Sequence, residues 1–373
     1  MASSGLQSDA SSSDNAWVWN GNEDPFDKSM PPTWKNYSDL ENIIIEEAYN
    51  KHQPSAKLDK YYIDFKRNLQ IFRNDPSKIR QVKRTTEYRN SNHLREGRFT
   101  HIPLNPKQPF AGLYGWISPF IKEVVRDLNI TRDRLPSKDQ QTRSLVINRA
   151  ATGFIEEGKL LERKCEGEIL AEMLLSVKND SAQKVWDRCA YLYSLECFLY
   201  KKLNETMRLI GSQEHEQNWR SKVRTLGPFA LLLWDNPSNT TPTPPGTTLY
   251  RGADLPIEAI SAFIDDCSKE DKPMRSFPSF TSCSRNQAKA EDFGNVLFHM
   301  NIKHAFTVDV KPFSKYPDEE EELLSPGCCF IIKKVEKKSK DKYWVYVDVI
   351  QQHRRKLFCF GHLLTVFSRE IHY

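Results

Sequence analysis

The chain has 373 residues, 39% hydrophobic and 28% charged, with a formal net charge of +5. That length suits two or three domains with full cores. So mild a charge does not call for nucleic acid, and no direct nucleic-acid binding is expected, although Lys78, Arg80, Lys83, Arg84 and Arg89 form a local basic cluster. No run is long and apolar enough to span a bilayer, so no membrane partner is expected. The opening MASSGLQSDASSSDNA lacks the basic and apolar regions of a signal peptide. The eight cysteines show no CxxC spacing. The expectation is therefore an intracellular protein, cytoplasmic or nuclear, with reduced thiols and no metal.

Residues 1–14 are Ser-rich, which predicts disorder. A compact unit over 15–88 follows. WVW and TWKNY read as short strands, and Asp39 opens a helix through IIIEEAYN, with Ile43, Ile44, Ala48 and Tyr49 as its buried face. YYIDF, LQIF and IRQVKR complete a small sheet. Trp17, Trp34 and Tyr37 read as core packing. Residues 89–109, broken by Pro103, Pro106 and Pro109, read as a linker.

Over 110–240 the period is helical. Ser118-Pro119 places a capping serine before a proline at the first helical position, and Phe120, Ile121, Val124, Val125 and Leu128 supply the stripe. KLLERKCEGEILAEMLLSVK and SAQKVWDRCAYLYSLECFLYKKLNETMRLI read as long amphipathic helices. From 245 to 355 the chain reads as strands: TLYRG, RSFPSFTSCS, VLFHMNI, AFTVDV, CCFIIKKV and YWVYVDVI, with PIEAISAFIDDC a helix between them. KLFCFGHLLTVF reads as one more strand. A helical block followed by a run of strands defines an α+β class.

Three pieces of the strand-rich half could carry chemistry. Arg251 ends a strand beside Gly252, where a guanidinium can hold a phosphate or carboxylate through two parallel hydrogen bonds. FTSCS carries Ser282 and Ser284 on one side of a strand and Cys283 on the other. Neither a His nor an Asp is placed to activate a nucleophile there. The third piece is PDEEEELLSPG. In an extended chain Glu320 and Glu322 face one way, about 6.6 Å apart. Glu322, adjoining the apolar Leu323-Leu324, would be held most rigidly, while Asp318, Glu319 and Glu321 read as a solvated loop.

The order Arg251, Ser282-x-Ser284, Glu320-x-Glu322, behind a helical lobe, resembles the arginine-type mono-ADP-ribosyltransferases over residues 110–355. The resemblance implies a split-sheet NAD-binding domain, over 110–373, that transfers ADP-ribose from NAD to a protein side chain and releases nicotinamide. It implies that Glu322 stabilises the charge built on the ribose as the nicotinamide bond breaks. It implies that Arg251 grips the phosphates and that Ser282 orients Glu322 and the ribose. Gly252, Ser284 and Phe293 would also line the NAD site, Phe293 by stacking on nicotinamide. Glu320 would select protein arginine as acceptor. Cys283 stands where the family usually has Thr, and LLSPG is a mild departure after the acidic pair.

The front unit resembles a WWE domain in WVW, TWKNY, IIIEEAYN, YYIDFKRNLQ and IRQVKR. The resemblance implies binding of ADP-ribosylated proteins or poly-ADP-ribose through Trp19, Tyr61, Gln70 and Arg80. The Trp19–Trp34 loop is long, and Lys35 stands where some binders carry a second tryptophan. Two alternatives to arginine transfer stay open: NAD hydrolysis through the same Glu322, and a non-catalytic poly-ADP-ribose reader.

Overall fold

The computed structural model describes residues 15–86 and 117–351. The Ser-rich start, the 89–109 linker and the strand expected in KLFCFGHLLTVF lie outside the described residues. The chain divides into two compact units, Met1–Leu94 and Arg95–Tyr373.

In the first unit six strands are joined in the order β2-β1-β6-β5-β4-β3. They are β1 (Ala16–Asn20), β2 (Trp34–Asn36), β3 (Ser55–Lys57), β4 (Tyr61–Asp64), β5 (Leu69–Phe72) and β6 (Ile79–Thr85). Helix α1 (Asp39–Asn50) starts at a reciprocal cap: Ser38 Oγ accepts from the Glu41 N–H, and the Glu41 carboxylate accepts from the Ser38 N–H. Its buried face is Leu40, Ile45 and Ala48, with Ile44 half-buried against the same core; Ile43 is half-buried and Tyr49 exposed. A period of 3.6 lets only one of three consecutive isoleucines point at the core centre, and packing selects Ile45. Ile45 meets Trp17, Tyr37, Ile63 and Val82 there. Trp34 departs from the core-packing expectation: it is half-buried, with Lys83 Nζ 4.6 Å from its ring centroid.

The second unit opens with helices. Ser118 caps α2 (Pro119–Asp127), whose Phe120, Ile121, Val124 and Val125 are buried. Then come α3 (Gln140–Leu160), α4 (Lys164–Leu175), α5 (Ala182–Ser194), α6 (Phe198–Arg208), α7 (Glu216–Ser221) and α8 (Gly227–Trp234). Helix α8 is apolar on all sides and lies at the centre, with Gly227 through Leu233 buried. The backbone of α3 approaches the segment before α8 at Gly153, where an added Cβ would lie 1.9 Å from the Thr225 carbonyl oxygen. A fixed backbone atom cannot yield, so Gly153→Ala is expected to destabilise the protein by about 1–3 kcal/mol. Chemical denaturation would show this as a lower midpoint with an unchanged slope.

The single helix expected over residues 181–210 is two. Leu195 is extended at ψ 140°, and Ser194 Oγ at the break accepts from the Lys315 N–H at 2.9 Å. The long-range bond holds the helix end to the loop that leads to the acidic run. The stripe residues Val185, Cys189, Leu192, Leu195, Leu199 and Leu203 are buried on both sides of the break, so the apolar period alone does not reveal it.

Eight strands then form one sheet in the order β11-β12-β9-β7-β10-β14-β13-β8. They are β7 (Thr248–Ala253), β8 (Met274–Phe277), β9 (Thr281–Ser284), β10 (Val296–His304), β11 (Thr307–Asp309), β12 (Glu321–Leu324), β13 (Cys328–Lys337) and β14 (Tyr343–Ile350). β10 and β14 run parallel, and the other neighbours pair antiparallel. Helix α9 (Ile257–Ser268) covers one face, with Ile260 and Phe263 in a core shared with Phe277, Phe298 and Phe330. The short α10 (Gln287–Glu291) follows β9. The mixture of helices and sheets is the expected α+β class.

Candidate functional site

Three adjacent strands, β12, β9 and β7, carry the three motifs that lie far apart in the chain. Glu322 is directly opposite Cys283. Tyr250 is opposite Ser284, and one antiparallel step sets Arg251 opposite Cys283. Directly paired residues share a face. Arg251, Cys283 and Glu322 therefore form a row across the sheet, on the side of the core that includes Leu249, Cys283 and Leu324.

This register inverts the expected arrangement of the serines. Ser282 pairs with Leu323 and Ser284 with Glu321, so both belong to the other face. The side-chain partners of Glu322 are Arg285 and Thr307 instead. Arg285 donates from Nε at 2.7 Å and Nη2 at 2.6 Å to Oε2. Thr307 Oγ1 donates to Oε1 at 2.5 Å. Ser282 contributes its main chain: its carbonyl accepts from Arg251 Nη1 at 2.6 Å, fixing the guanidinium on the neighbouring strand. Ser284 Oγ donates to the Glu319 carbonyl at 2.9 Å and holds the acidic loop.

The acidic run also differs from its strand reading. Pro317–Glu319 form a short 3-10 turn, and Glu320 closes it in a left-handed conformation with φ of 49°. β12 begins only at Glu321, so period-two alternation does not link Glu320 to Glu322. The Glu320 carboxylate is 38% exposed and lies 3.8 Å from Lys289 Nζ. Of the three residues expected to be solvated, Asp318 is exposed, but Glu319 and Glu321 are buried. The turn folds the run back along β9 instead of letting it project into water.

Arg251 is 3% exposed. A second guanidinium, missed in the sequence, is near it: Arg208, at the end of α6. Burial first, and then the positive charge of Arg251, push Arg208 down to about 10. Among the described residues no carboxylate pairs with Arg208. Asn204, one turn earlier, is 4% exposed; its amide donates to the Tyr193 hydroxyl at 2.7 Å and its Oδ1 is buried without a partner. Two guanidiniums near each other, one from a helix and one from a strand, suit a polyanion such as a pyrophosphate. Asn204 and Arg208, one turn apart on an amphipathic helix whose Leu203 and Met207 are buried, were the available signal. Thr307 and Arg285 had none, because only strand register brings them to Glu322.

Gly252 allows close packing, since a Cβ there would lie 2.3 Å from the Ala290 carbonyl and 2.4 Å from Phe293 Cβ. Phe293 is only 3% exposed against that strand, so it is a packed wall rather than the open stacking platform expected for nicotinamide. Burial pushes the Cys283 thiol up to about 12, which keeps it protonated and unreactive. Among the described residues no three metal-ligating side chains are grouped.

In the first unit, strand register brings the four expected contacts to one face. Tyr61 pairs with Phe72 and Ile63 with Gln70; Gln70 pairs with Arg80, and Trp19 with Val82. The Gln70 side chain accepts from the Tyr37 hydroxyl at 2.5 Å. Arg80 Nη1 donates to the Asn20 and Asn22 carbonyls at 2.9 and 2.7 Å, tying down the long loop after Trp19. The Trp19 ring lies between two cations, Arg80 Cζ at 5.2 Å and Lys35 Nζ at 5.4 Å from its centroid.

Comparison with known proteins agrees with both units. Residues 188–355 match the family model described as NAD:arginine ADP-ribosyltransferase, and residues 16–84 match the WWE domain. The chain thus joins a WWE domain to a domain of the ADP-ribosyltransferase family, which takes NAD as substrate. None of the curated proteins matches it. Similar solved structures include the ADP-ribosyltransferase HopU1 of Pseudomonas syringae, at 17% identity over 48% of this chain and 87% of that one, with a TM-score of 0.38. The type III effector XopAI of Xanthomonas axonopodis is 14% identical over 63% and 95%, with a TM-score of 0.41. Exoenzyme S of Pseudomonas aeruginosa is 14% identical over 58% and 95%, with a TM-score of 0.35.

Proposed function

We propose that the protein is an NAD-dependent protein-arginine mono-ADP-ribosyltransferase, directed to ADP-ribosylated partners by its WWE domain. The observation that carries this reading is the row of Arg251, Cys283 and Glu322 with Arg208 close to Arg251. Arg251 and Arg208 bind the pyrophosphate of NAD from two elements. Glu322 faces the nicotinamide ribose, accepts from a ribose hydroxyl and stabilises the positive charge on the sugar as nicotinamide leaves. Glu320, exposed at the edge of the site, orients the incoming guanidinium and takes its proton as the new C–N bond forms. That proton must be removed, because a guanidinium is otherwise fully protonated and a poor nucleophile.

One observation favours water as a competing acceptor: Glu320 lies outside the strand that holds Glu322. Incubation of the full chain with labelled NAD and an arginine-rich protein decides between the two. Label on arginine, matched by released nicotinamide, is expected. Nicotinamide release without arginine label selects hydrolysis, and absence of both overturns the enzymatic reading.

For the first unit, Trp19, Tyr61, Gln70 and Arg80 receive an ADP-ribose unit, with Arg80 on a phosphate. Arg80→Ala in the full chain is expected to weaken poly-ADP-ribose binding about tenfold or more, the size of a lost charge-assisted contact. Unchanged affinity in a titration would remove Arg80 from the pocket.

A further inference from the structure

Glu322 is 2% exposed, and both of its oxygens are taken up within the chain. Thr307 holds Oε1, and is itself fixed by Thr243, whose hydroxyl lies 2.7 Å from the Thr307 hydroxyl and accepts from its N–H. Arg285 holds Oε2 through two donors. The two contacts differ in kind. The threonines belong to the sheet and its flanking loop. The Arg285 side chain is 54% exposed, on a long stem free to rotate into water. Its main chain is tied to the same loop, its N–H donating to the Glu320 carbonyl at 3.3 Å. A guanidinium bound in this way cancels the field of Glu322 and fills one of the oxygens needed by a ribose hydroxyl.

We propose that Arg285 fills a guanidinium-sized place on Glu322 at rest, so that this internal arginine competes with NAD for that carboxylate and with the external guanidino acceptor, which Glu320 orients, for the space beside it. The proposal rests on the acceptor reading above. Turnover requires Arg285 to rotate outward while Thr307 keeps Glu322 in place. A site built to accept a guanidinium thereby holds one of its own, and activity depends on displacing it.

The test uses the full chain as wild type, Arg285→Met and Arg285→Lys, with thermal melts to verify folding. Two quantities are read: equilibrium binding of agmatine without NAD, and nicotinamide release from NAD. Arg285→Met is expected to bind agmatine about tenfold tighter, the scale of a partly exposed two-donor contact, and to release nicotinamide several-fold faster. Arg285→Lys, a point charge without the planar fork, should lie between the two. Equal agmatine affinity in wild type and Arg285→Met overturns the proposal. Slower release in Arg285→Met also overturns it, by making Arg285 a support that Glu322 needs. Tighter agmatine binding with no nicotinamide release from any form upholds the internal occupant and overturns the enzymatic reading. Nicotinamide release with equal affinities does the reverse.

Discussion

Glu322→Gln is expected to lower nicotinamide release by at least about two to three orders of magnitude, with both arginine and water as acceptor. The substitution retains shape and the ability to accept from Thr307, but it removes the charge that a positive ribose requires. Loss of a preorganised electrostatic group of this kind typically costs ~10²–10³ in rate. Because Glu322 is buried on β12, water cannot replace the missing charge. Glu320→Ala is expected to behave differently: arginine transfer falls, while hydrolysis of NAD persists. Labelled NAD with separate measurement of nicotinamide and of arginine label distinguishes the two variants. Full transfer by Glu322→Gln would remove this residue from the mechanism.

The second large effect is at Arg251. Arg251→Met is expected to raise KM for NAD by about two orders of magnitude, because a buried guanidinium facing phosphate contributes roughly 2–3 kcal/mol. It is also expected to reduce stability by about 1–3 kcal/mol, since it leaves the Ser282 carbonyl, now an acceptor for Nη1, without that donor. Arg208→Met tests the proposed pyrophosphate subsite from the helical side. Its expected cost is smaller, about tenfold in KM, because Arg208 is half-buried at a helix end. Loss of binding in the first variant alone would assign the phosphates to β7 without α6. A kcat effect with unchanged KM in both would place neither arginine on NAD.

The expected strands of the second unit became β7, β10, β11, β13 and β14 because apolar alternation and β-branched residues make such segments legible one at a time; RSFPSFTSCS, read as one strand, is two, β8 and β9, which lie apart in the sheet. Glu322 was similarly legible: the junction of a charged run with Leu323-Leu324 marks where the chain enters the sheet. Helix α1 shows the limit of that approach. Its existence was readable from Asp39 onward, but three isoleucines in succession left the buried one to be chosen by the sheet beneath.

Order and type were readable from the chain alone: a small sheet with one helix, a helical lobe and a strand-rich core. Local pattern carries that information because each segment's period and turn residues act within a few positions. The neighbours were chosen by long-range pairing. Strand register, set between distant segments, placed Cys283 rather than Ser282 in the row with Arg251 and Glu322, since a shift of one residue exchanges every side chain between faces. A left-handed Glu320 ended the alternation that the acidic run implied. Packing of α6 near β7 brought Arg208 close to Arg251. Pairing of β11 with β12 and the turn after β9 delivered Thr307 and Arg285 to the one carboxylate that the sequence had singled out.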